Sequence, residues 1–268
     1  MSKRRNSTQS IAHPSPRDYQ DGFYKSSSKV RDRESRLRKA EKITFALTEL
    51  AGYELANGTG LDLGCSSGVI THAIAPLFGQ TIGLDYDSEA LKNVDRSAGV
   101  IASFLRSDAM GLPLASSSVD VIVCAQVYEH VPDDQLMVSE MFRVLRPGGL
   151  VFFSGPNRLY PIEPHYFLPF LHWLPSKIAG AYLRLFGRGD QYYERPRSFW
   201  SLRRLLIQFR IHDITPQILL WWSEQRLPRA LSRILHRVPP VLWRPLQPLY
   251  PNFNWILRKP VHTEDPRH

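Results

Sequence analysis

The first regular pattern along the chain is helical. Apolar residues recur every three or four positions at Leu37, Ala40, Ile43, Leu47 and Leu50. This spacing predicts an amphipathic helix over Val30–Ala51, followed by Gly52, a residue type at which helices commonly end. The preceding residues 1–29 are polar and rich in serine, lysine and arginine. They predict a flexible basic arm, because such a composition buries little apolar surface.

From Thr59 onward, short apolar runs alternate with helical patterns. The runs that predict strands are Gly60–Leu63, Thr81–Leu84, Val100–Leu105, Val119–Cys124 and Gly149–Ser154. The segments that predict helices between them are Ile70–Phe78, Ser88–Ser97 and Asp134–Leu145. Asp87 and Asp133 are of the residue type that caps helix N-termini, and each stands directly before one of these segments. Strands that alternate with helices indicate a parallel sheet wound with helices on both faces.

The second half of the chain has a different composition. All six tryptophans lie beyond residue 150, and 15 of the 21 prolines lie beyond residue 155. A helix over Phe199–Ile207 and strands over Arg210–Ile214 and Asn252–Leu257 continue the alternating pattern, while residues 160–196 and 216–250 predict helical cap insertions. We therefore expect an α/β fold with a Rossmann-like, doubly wound, mostly parallel seven-stranded sheet. One domain would span residues 30–268.

The segment Leu61–Gly68 (LDLGCSSG) joins the first strand to the following helix. Glycines let the chain turn tightly and let backbone N–H groups approach a ligand. The dinucleotide pattern G-x-G-x-x-G would need glycines at positions 66 and 69, where the chain has Ser66 and Val69. Asp85 ends the second strand 23 residues after Asp62, near the separation of about 20 at which a carboxylate binds a ribose. The loop therefore predicts a nucleotide-like cofactor, although it lacks the glycine pattern of dinucleotide-binding loops.

Five segments in order, LDLGCSSG, GLD, SDAMGLP, VDVIVCAQVYEHV and VLRPGG, resemble the motifs of the type 11 branch of the class I methyltransferases. The resemblance covers residues 58–158 and implies S-adenosyl-L-methionine as the methyl donor. The cofactor-binding residues that it implies are Asp62, Gly64, Ser66, Gly68, Asp85, Tyr86, Asp108, Ala109 and Gln126. Ser66 replaces the middle glycine of the pattern D-x-G-x-G-x-G. If this position needs a positive φ, serine costs about 1 kcal/mol, and we expect altered rather than lost binding.

Two histidines are candidate bases, since a hydroxyl acceptor needs a base within hydrogen-bond reach. His130 follows the fourth strand, and His165 lies in a proline-rich loop after the fifth. Structural roles are the alternative for both. The segment QVYEHV is similar to the E-x-x-E-H-V stretch of ubiquinone-pathway O-methyltransferases, which can bind a divalent metal. Gln126 takes the first acidic position, and an amide is a poorer ligand for a hard cation, so we expect no metal.

The net charge of +9 is distributed unevenly. Residues 1–42 carry +7, residues 43–158 carry −7 and residues 159–268 carry +9. Basic ends around an acidic centre indicate an anionic partner, although a soluble surface would have the same charge.

The segment Arg229–Trp243 predicts a surface helix with Leu231, Ile234 and Leu235 near one face. Such a helix either caps the substrate cleft or contacts an anionic membrane surface. With only two cysteines, no apolar signal segment and no run of about 20 apolar residues, we expect a cytoplasmic protein, with peripheral attachment to the inner face of a membrane as an extension.

These features predict a methyltransferase that acts on a small-molecule, lipid-linked or glycan acceptor, by O-methylation. The alternatives are an RNA methyltransferase that uses the basic flanks and a non-catalytic cofactor-binding partner. The chain has no RNA-binding signature and no Asn-Pro-Pro-Tyr-type motif, so we expect no nucleic-acid partner. Intact acidic positions at Asp62, Asp85 and Asp108 argue against a non-catalytic role.

Overall fold

A computed structural model describes residues 20–26, 32–51, 55–97, 99 and 101–261. Seven strands form one sheet: β1 (Thr59–Leu63), β2 (Gln80–Asp85), β3 (Ala102–Arg106), β4 (Val119–Ala125), β5 (Leu145–Pro156), β6 (Arg210–Asp213) and β7 (Asn252–Arg258). Their order across the sheet is β3-β2-β1-β4-β5-β7-β6. The first five strands run parallel, and β7 is antiparallel to both β5 and β6. The predicted α/β fold with a mostly parallel seven-stranded sheet is confirmed.

The α-helices in chain order are α1 (Phe23–Ser26), α2 (Arg33–Phe45), α3 (Val69–Ile74), α4 (Ser88–Lys92), α5 (Asp134–Val144), α6 (Ser176–Leu185), α7 (Phe199–Leu205), α8 (Thr215–Arg226) and α9 (Arg229–His236). A π-helical turn, Ala46–Leu50, continues α2. Shorter 3-10 segments lie at Ala75–Leu77 and Leu171–Trp173, and a longer one at Pro240–Leu249. No helix among the described residues combines the length and the apolar character needed to cross a bilayer.

Successive side chains of the central strands point to opposite faces of the sheet, so the core has two layers. On β4, Ile122 and Cys124 pack with the apolar side chains of α5 and α7, whereas Val121 and Val123 pack with those of α2 and α3. These fully buried strands therefore need helices on both sides. This arrangement brings the carboxyl ends of β1, β2 and β4 to one edge of the sheet.

Several predicted boundaries need correction. Helix α4 ends at Lys92 rather than Ser97, because the Asn93 side chain donates to the Glu89 carbonyl oxygen at 2.8 Å and competes with the helical ladder. Strand β5 begins at Leu145, four residues before the predicted start. Helix α2 begins at Arg33, after its cap Asp32; Val30 and Gly52 lie outside the described residues.

The prediction of a flexible arm over residues 1–29 is wrong for residues 20–26. Helix α1 packs against α4, where the Tyr24 backbone N–H donates to Asp87 Oδ2 at 2.7 Å and Lys25 pairs with Glu89 at 2.8 Å. The carboxylates near the start of α4 thus fix a segment whose polar composition suggested mobility. Residues 1–19 and 27–29 lie outside the described residues.

Candidate cofactor and acceptor site

The glycine loop after β1 has three residues in the left-handed region: Gly64 at φ 77°, Ser66 at φ 53° and Gly68 at φ 76°. Position 66 therefore needs the positive φ that glycine adopts freely, and serine there carries about 1 kcal/mol of strain. A Cβ on Gly64 would come within 2.6 Å of Val127 Cγ2, so glycine is required there by close approach as well. The loop backbone is held by β2, because the Gly64 and Cys65 N–H groups both donate to the Leu84 carbonyl oxygen, at 2.8 and 3.0 Å.

Asp85, at the end of β2, bridges the loop and the following turn. Its Oδ2 accepts from the Ser66 N–H at 2.6 Å and its Oδ1 from the Asp87 N–H at 2.8 Å. Burial raises the pKa of this carboxyl, against these two backbone hydrogen bonds. Each oxygen retains a further lone pair, so the carboxylate can still accept a pair of ribose hydroxyls.

Asp62 and Gly68 do not lie in the wall of the cavity that the other predicted cofactor residues line. Asp62 is buried behind the loop, where its Oδ2 accepts from the Thr71 hydroxyl at 2.6 Å. Burial raises its pKa to about 6. Asp62 thus fastens α3 to β1, and a direct cofactor contact for Asp62 stays a prediction.

The remaining predicted cofactor residues meet in one cavity of about 1430 Å³. They are Gly64, Ser66, Asp85, Tyr86, Asp108, Ala109 and Gln126. Gln126 sits at φ 61° directly after β4, and its N–H donates to the Ser154 carbonyl oxygen at 2.8 Å. Ligand pockets usually measure about 300–1,000 Å³, so the cavity has room for a second molecule beside a nucleotide-like one.

Helix α2 contributes three cationic side chains to the cavity that sequence reasoning missed, Arg36, Lys39 and Lys42. The guanidinium of Arg36 donates to the Cys65 carbonyl oxygen at 3.2 Å, and its Nε is buried without a hydrogen-bond partner. Burial, with a smaller effect from Lys39, lowers the pKa of Lys42 to about 8. A signal was present in the sequence, because Arg36 shares the buried face of α2 with Ala40 at i+4.

The two predicted bases lie together in the wall of the cavity. The ring centroids of His130 and His165 are 5.1 Å apart, although 35 positions separate them in the chain. His165 Nδ1 lies 2.7 Å from Glu163 Oε1, and Glu163 is 1% exposed. Burial lowers the pKa of His165, but the Glu163 hydrogen bond and the charges of Glu194, Glu163 and Glu129 together raise it above its ordinary value. Burial holds the pKa of His130 well below its ordinary value.

Glu129 completes this cluster and was not predicted as a site residue. It is fully buried, both carboxylate oxygens lack a hydrogen-bond partner, and burial raises its pKa to about 7. The ligand atoms of Glu129, His130 and His165 all lie within 4.8 Å of one another, an arrangement that could hold a metal ion. The expectation of no metal considered only Glu129 and His130, since nothing in the sequence brought His165 to them. That expectation stays a prediction.

The two predicted insertions differ in their relation to the cavity. The first contributes Tyr166, Phe167, Lys177, Arg184 and Arg188 to the cavity wall, among others. Among the described lining residues, none comes from residues 216–250. The interpretation of the second insertion as a cap over the cleft therefore has no support in the wall of this cavity.

Comparison with known proteins agrees with the loop and sheet geometry. Residues 61–153 match the family described as "Methyltransferase domain" (Methyltransf_11). This central part of the chain is therefore similar to methyltransferase domains. A probable S-adenosylmethionine-dependent methyltransferase of Mycolicibacterium smegmatis is 42% identical over 99 residues, which are 37% of this chain and 38% of that protein. A ubiquinone biosynthesis O-methyltransferase of Methylococcus capsulatus is 32% identical over 112 residues, covering 40% and 47%.

Among solved structures, the fold resembles that of Haemonchus contortus phosphoethanolamine N-methyltransferase 2 in complex with S-adenosyl-L-methionine. The TM-score is 0.57 at 16% identity, over 92% of this chain and 60% of that one. At that identity the likeness concerns the fold. The chain matches less than half the length of the two curated relatives named above.

Proposed function

We propose that the chain is an S-adenosyl-L-methionine-dependent methyltransferase that O-methylates a small-molecule acceptor. One observation carries the proposal. A single cavity joins the glycine loop and the acidic ends of the strands to a Glu163–His165 pair on the first insertion. A cofactor-binding partner without activity would have no need for a buried carboxylate that orients a histidine beside the cofactor pocket.

The residues present fit this cofactor. Asp85 can accept ribose hydroxyls, and Asp108 with the Ala109 N–H would take the adenine edge. Near the loop, Ser66 Oγ and Arg36 Nε are buried polar atoms without a hydrogen-bond partner. Because buried polar groups are nearly always hydrogen-bonded, these two atoms suit the carboxylate at the methionine end.

S-adenosyl-L-methionine, when bound, supplies an activated methyl group on a positively charged sulfur. The chain then has to align the acceptor and remove its proton. With Nδ1 donating to Glu163, the imidazole of His165 has its basic lone pair on Nε2. Glu163 itself is held by the backbone N–H groups of His165 and Tyr166, at 2.7 and 2.6 Å. His165 is therefore the general base, and its raised pKa makes it a stronger proton acceptor.

The acceptor half of the cavity combines aromatic and cationic side chains. Tyr166, Phe167 and Tyr193 lie in its wall, together with Lys177 and Arg184. Aromatic rings bury an apolar body, and cations pair with an anionic group. The acceptor class that fits is therefore an apolar or aromatic molecule with a hydroxyl and an anionic group, free or lipid-linked.

Calorimetry with S-adenosyl-L-methionine tests the cofactor half of the proposal. We expect Asp85→Ala to weaken binding by about 10-fold to 100-fold, since hydrogen bonds to a charged group contribute about 1.5–3 kcal/mol. Asp95→Ala is the matched control, because Asp95 is exposed and accepts hydrogen bonds from Ser97. Absence of binding by the unaltered protein would overturn the proposal.

Transfer of labelled methyl groups to fractionated cell extract tests the acceptor half. We expect label in the small-molecule or lipid fraction, and we expect His165→Asn to lose the transfer while it keeps S-adenosyl-L-methionine binding. Label found in RNA would support the RNA methyltransferase instead. Unchanged transfer by His165→Asn would remove His165 as the base.

A further inference from the structure

Helix α9, in the second insertion, presents its apolar side to solvent. At 100° per residue, Ala230, Leu231, Ile234 and Leu235 form one continuous apolar arc of this helix. Leu231 is 43% exposed and Ile234 58% exposed. In a globular protein the apolar stripe of a surface helix normally faces the core. Here the stripe points the other way.

The polar side of α9 is the side that packs on the protein. Ser232 is its one buried residue, and the Ser232 hydroxyl lies 3.2 Å from that of Ser223 on α8. His236 Nε2 lies 3.0 Å from Glu224 Oε1, also on α8. Polar contacts therefore fix the orientation of α9. Its exposed apolar arc is a consequence of that orientation rather than of loose packing.

The 3-10 segment that follows α9 also has exposed apolar side chains. Leu242, Leu246 and Leu249 are 60%, 45% and 61% exposed. Together with Leu231 and Ile234 they are called the insertion surface below. Large apolar side chains exposed in such number within one insertion indicate a site of interaction, and none of these five lines the cavity.

The charge of the second insertion indicates which kind of partner the insertion surface binds. Residues 216–250 contain five arginines and one acidic residue, Glu224, which lies beside His236. Arg233 and the C-cap residue Arg237 border the apolar arc of α9 at 100° per residue, and both are exposed. A second copy of the chain would bring the same positive charge against this surface, and like charges repel. An anionic lipid surface would instead neutralise the arginines and receive the leucines.

We propose that the insertion surface docks on the surface of an anionic bilayer. Its leucine and isoleucine side chains enter the boundary between headgroups and acyl chains, and the flanking arginines lie at the level of the lipid phosphates. The helix lies along the surface and does not cross it. The inference stands on α9 and the 3-10 segment alone, so it is independent of the proposed methyl transfer.

Flotation with vesicles tests the docking. The full chain is mixed at low salt with vesicles of phosphatidylcholine alone or with added phosphatidylglycerol. We expect flotation with the anionic vesicles only. Leu231→Ser with Ile234→Ser should abolish it, and Arg233→Glu should weaken it by roughly fivefold or more, since each basic residue near an anionic surface contributes about that factor.

The matched control is Ile207→Ser, because Ile207 is 79% exposed but lies outside both insertions. It should float as the unaltered protein does. Circular dichroism melts and S-adenosyl-L-methionine binding check that each variant is folded. The proposal is overturned if the unaltered protein does not float with anionic vesicles, or if the Leu231/Ile234 variant floats equally well. It is also overturned if sedimentation shows a dimer that this variant abolishes.

Discussion

Replacing Asp62 by asparagine should change how the stability of the protein depends on pH. Asp62 is 2% exposed, and burial raises the pKa of its carboxyl from 3.8 to about 6 despite the Thr71 hydrogen bond. The folded protein therefore binds a proton at Asp62 more tightly than the unfolded chain does. A raised pKa contributes stability that is complete below the unfolded value and is lost as the pH rises through the folded value.

The magnitude follows from the size of the shift. A rise of roughly two pKa units corresponds to about 3 kcal/mol at 1.36 kcal/mol per unit. Asparagine carries no charge at any pH and can still accept from the Thr71 hydroxyl. Between about pH 4 and pH 6, the unaltered protein should therefore lose unfolding free energy relative to Asp62→Asn. Above pH 6 the difference between the two proteins should stay level, at up to about 3 kcal/mol.

Urea denaturation of the cofactor-free protein at a series of pH values measures this difference. Asp95→Asn is the control, because Asp95 is exposed and its hydrogen bonds to Ser97 lower its pKa instead. A pH-independent difference for Asp62→Asn would refute the reasoning, since it would mean that Asp62 is not held in a low-dielectric site. A difference that moves in favour of the unaltered protein as the pH rises would refute its sign.

Two further predictions concern the base and the loop. Glu163→Gln should lower the pKa of His165, with a tenfold or larger change in the protonation equilibrium, because a charge-assisted hydrogen bond contributes about 1.5–3 kcal/mol. An NMR titration of the His165 ring measures this pKa, with His72 as the internal reference. An unchanged pKa would contradict the role given to Glu163. Ser66→Gly should stabilise the protein by up to about 1 kcal/mol, because glycine adopts φ 53° without strain. Thermal denaturation measures this, and a lower melting temperature for the variant would show that contacts of the serine side chain offset the backbone strain.

Much of the fold could be predicted from the sequence. The alternation of apolar strands with capped helices is a local property, and the carboxylates of Asp87 and Asp133 cap α4 and α5 as expected, by accepting from backbone N–H groups of the first turn. At the end of α4, which was predicted wrongly, a local interaction competes with the helical hydrogen bonds. At Asn93 a side-chain amide takes the carbonyl that a further helical turn would have used.

The cofactor side of the site could also be predicted, because its residues come from the ends of strands that neighbour one another in a parallel sheet. The acceptor side could not. His130 and His165 were separate candidates in the sequence. Only the tertiary structure brings their rings to 5.1 Å, with the first insertion held to the segment after β4 by the Arg195 N–H, which donates to the Glu129 carbonyl oxygen at 2.8 Å. Glu129 and Arg36 were not predicted as site residues, since a sequence pattern can indicate a buried face but does not show that a charged side chain on it belongs to a site.

By itself, the sequence determined that α9 is amphipathic, because periodicity is read along one helix. It did not determine which way the helix faces. The tertiary structure decided that, through the contacts of Ser232 and His236 with α8. The same distinction holds for the whole protein. Local spacing determines the elements and the glycine loop, whereas burial and orientation depend on contacts between residues far apart in the chain. Burial and long-range contacts give Asp62 and His165 their raised pKa values, and orientation gives α9 its exposed apolar side.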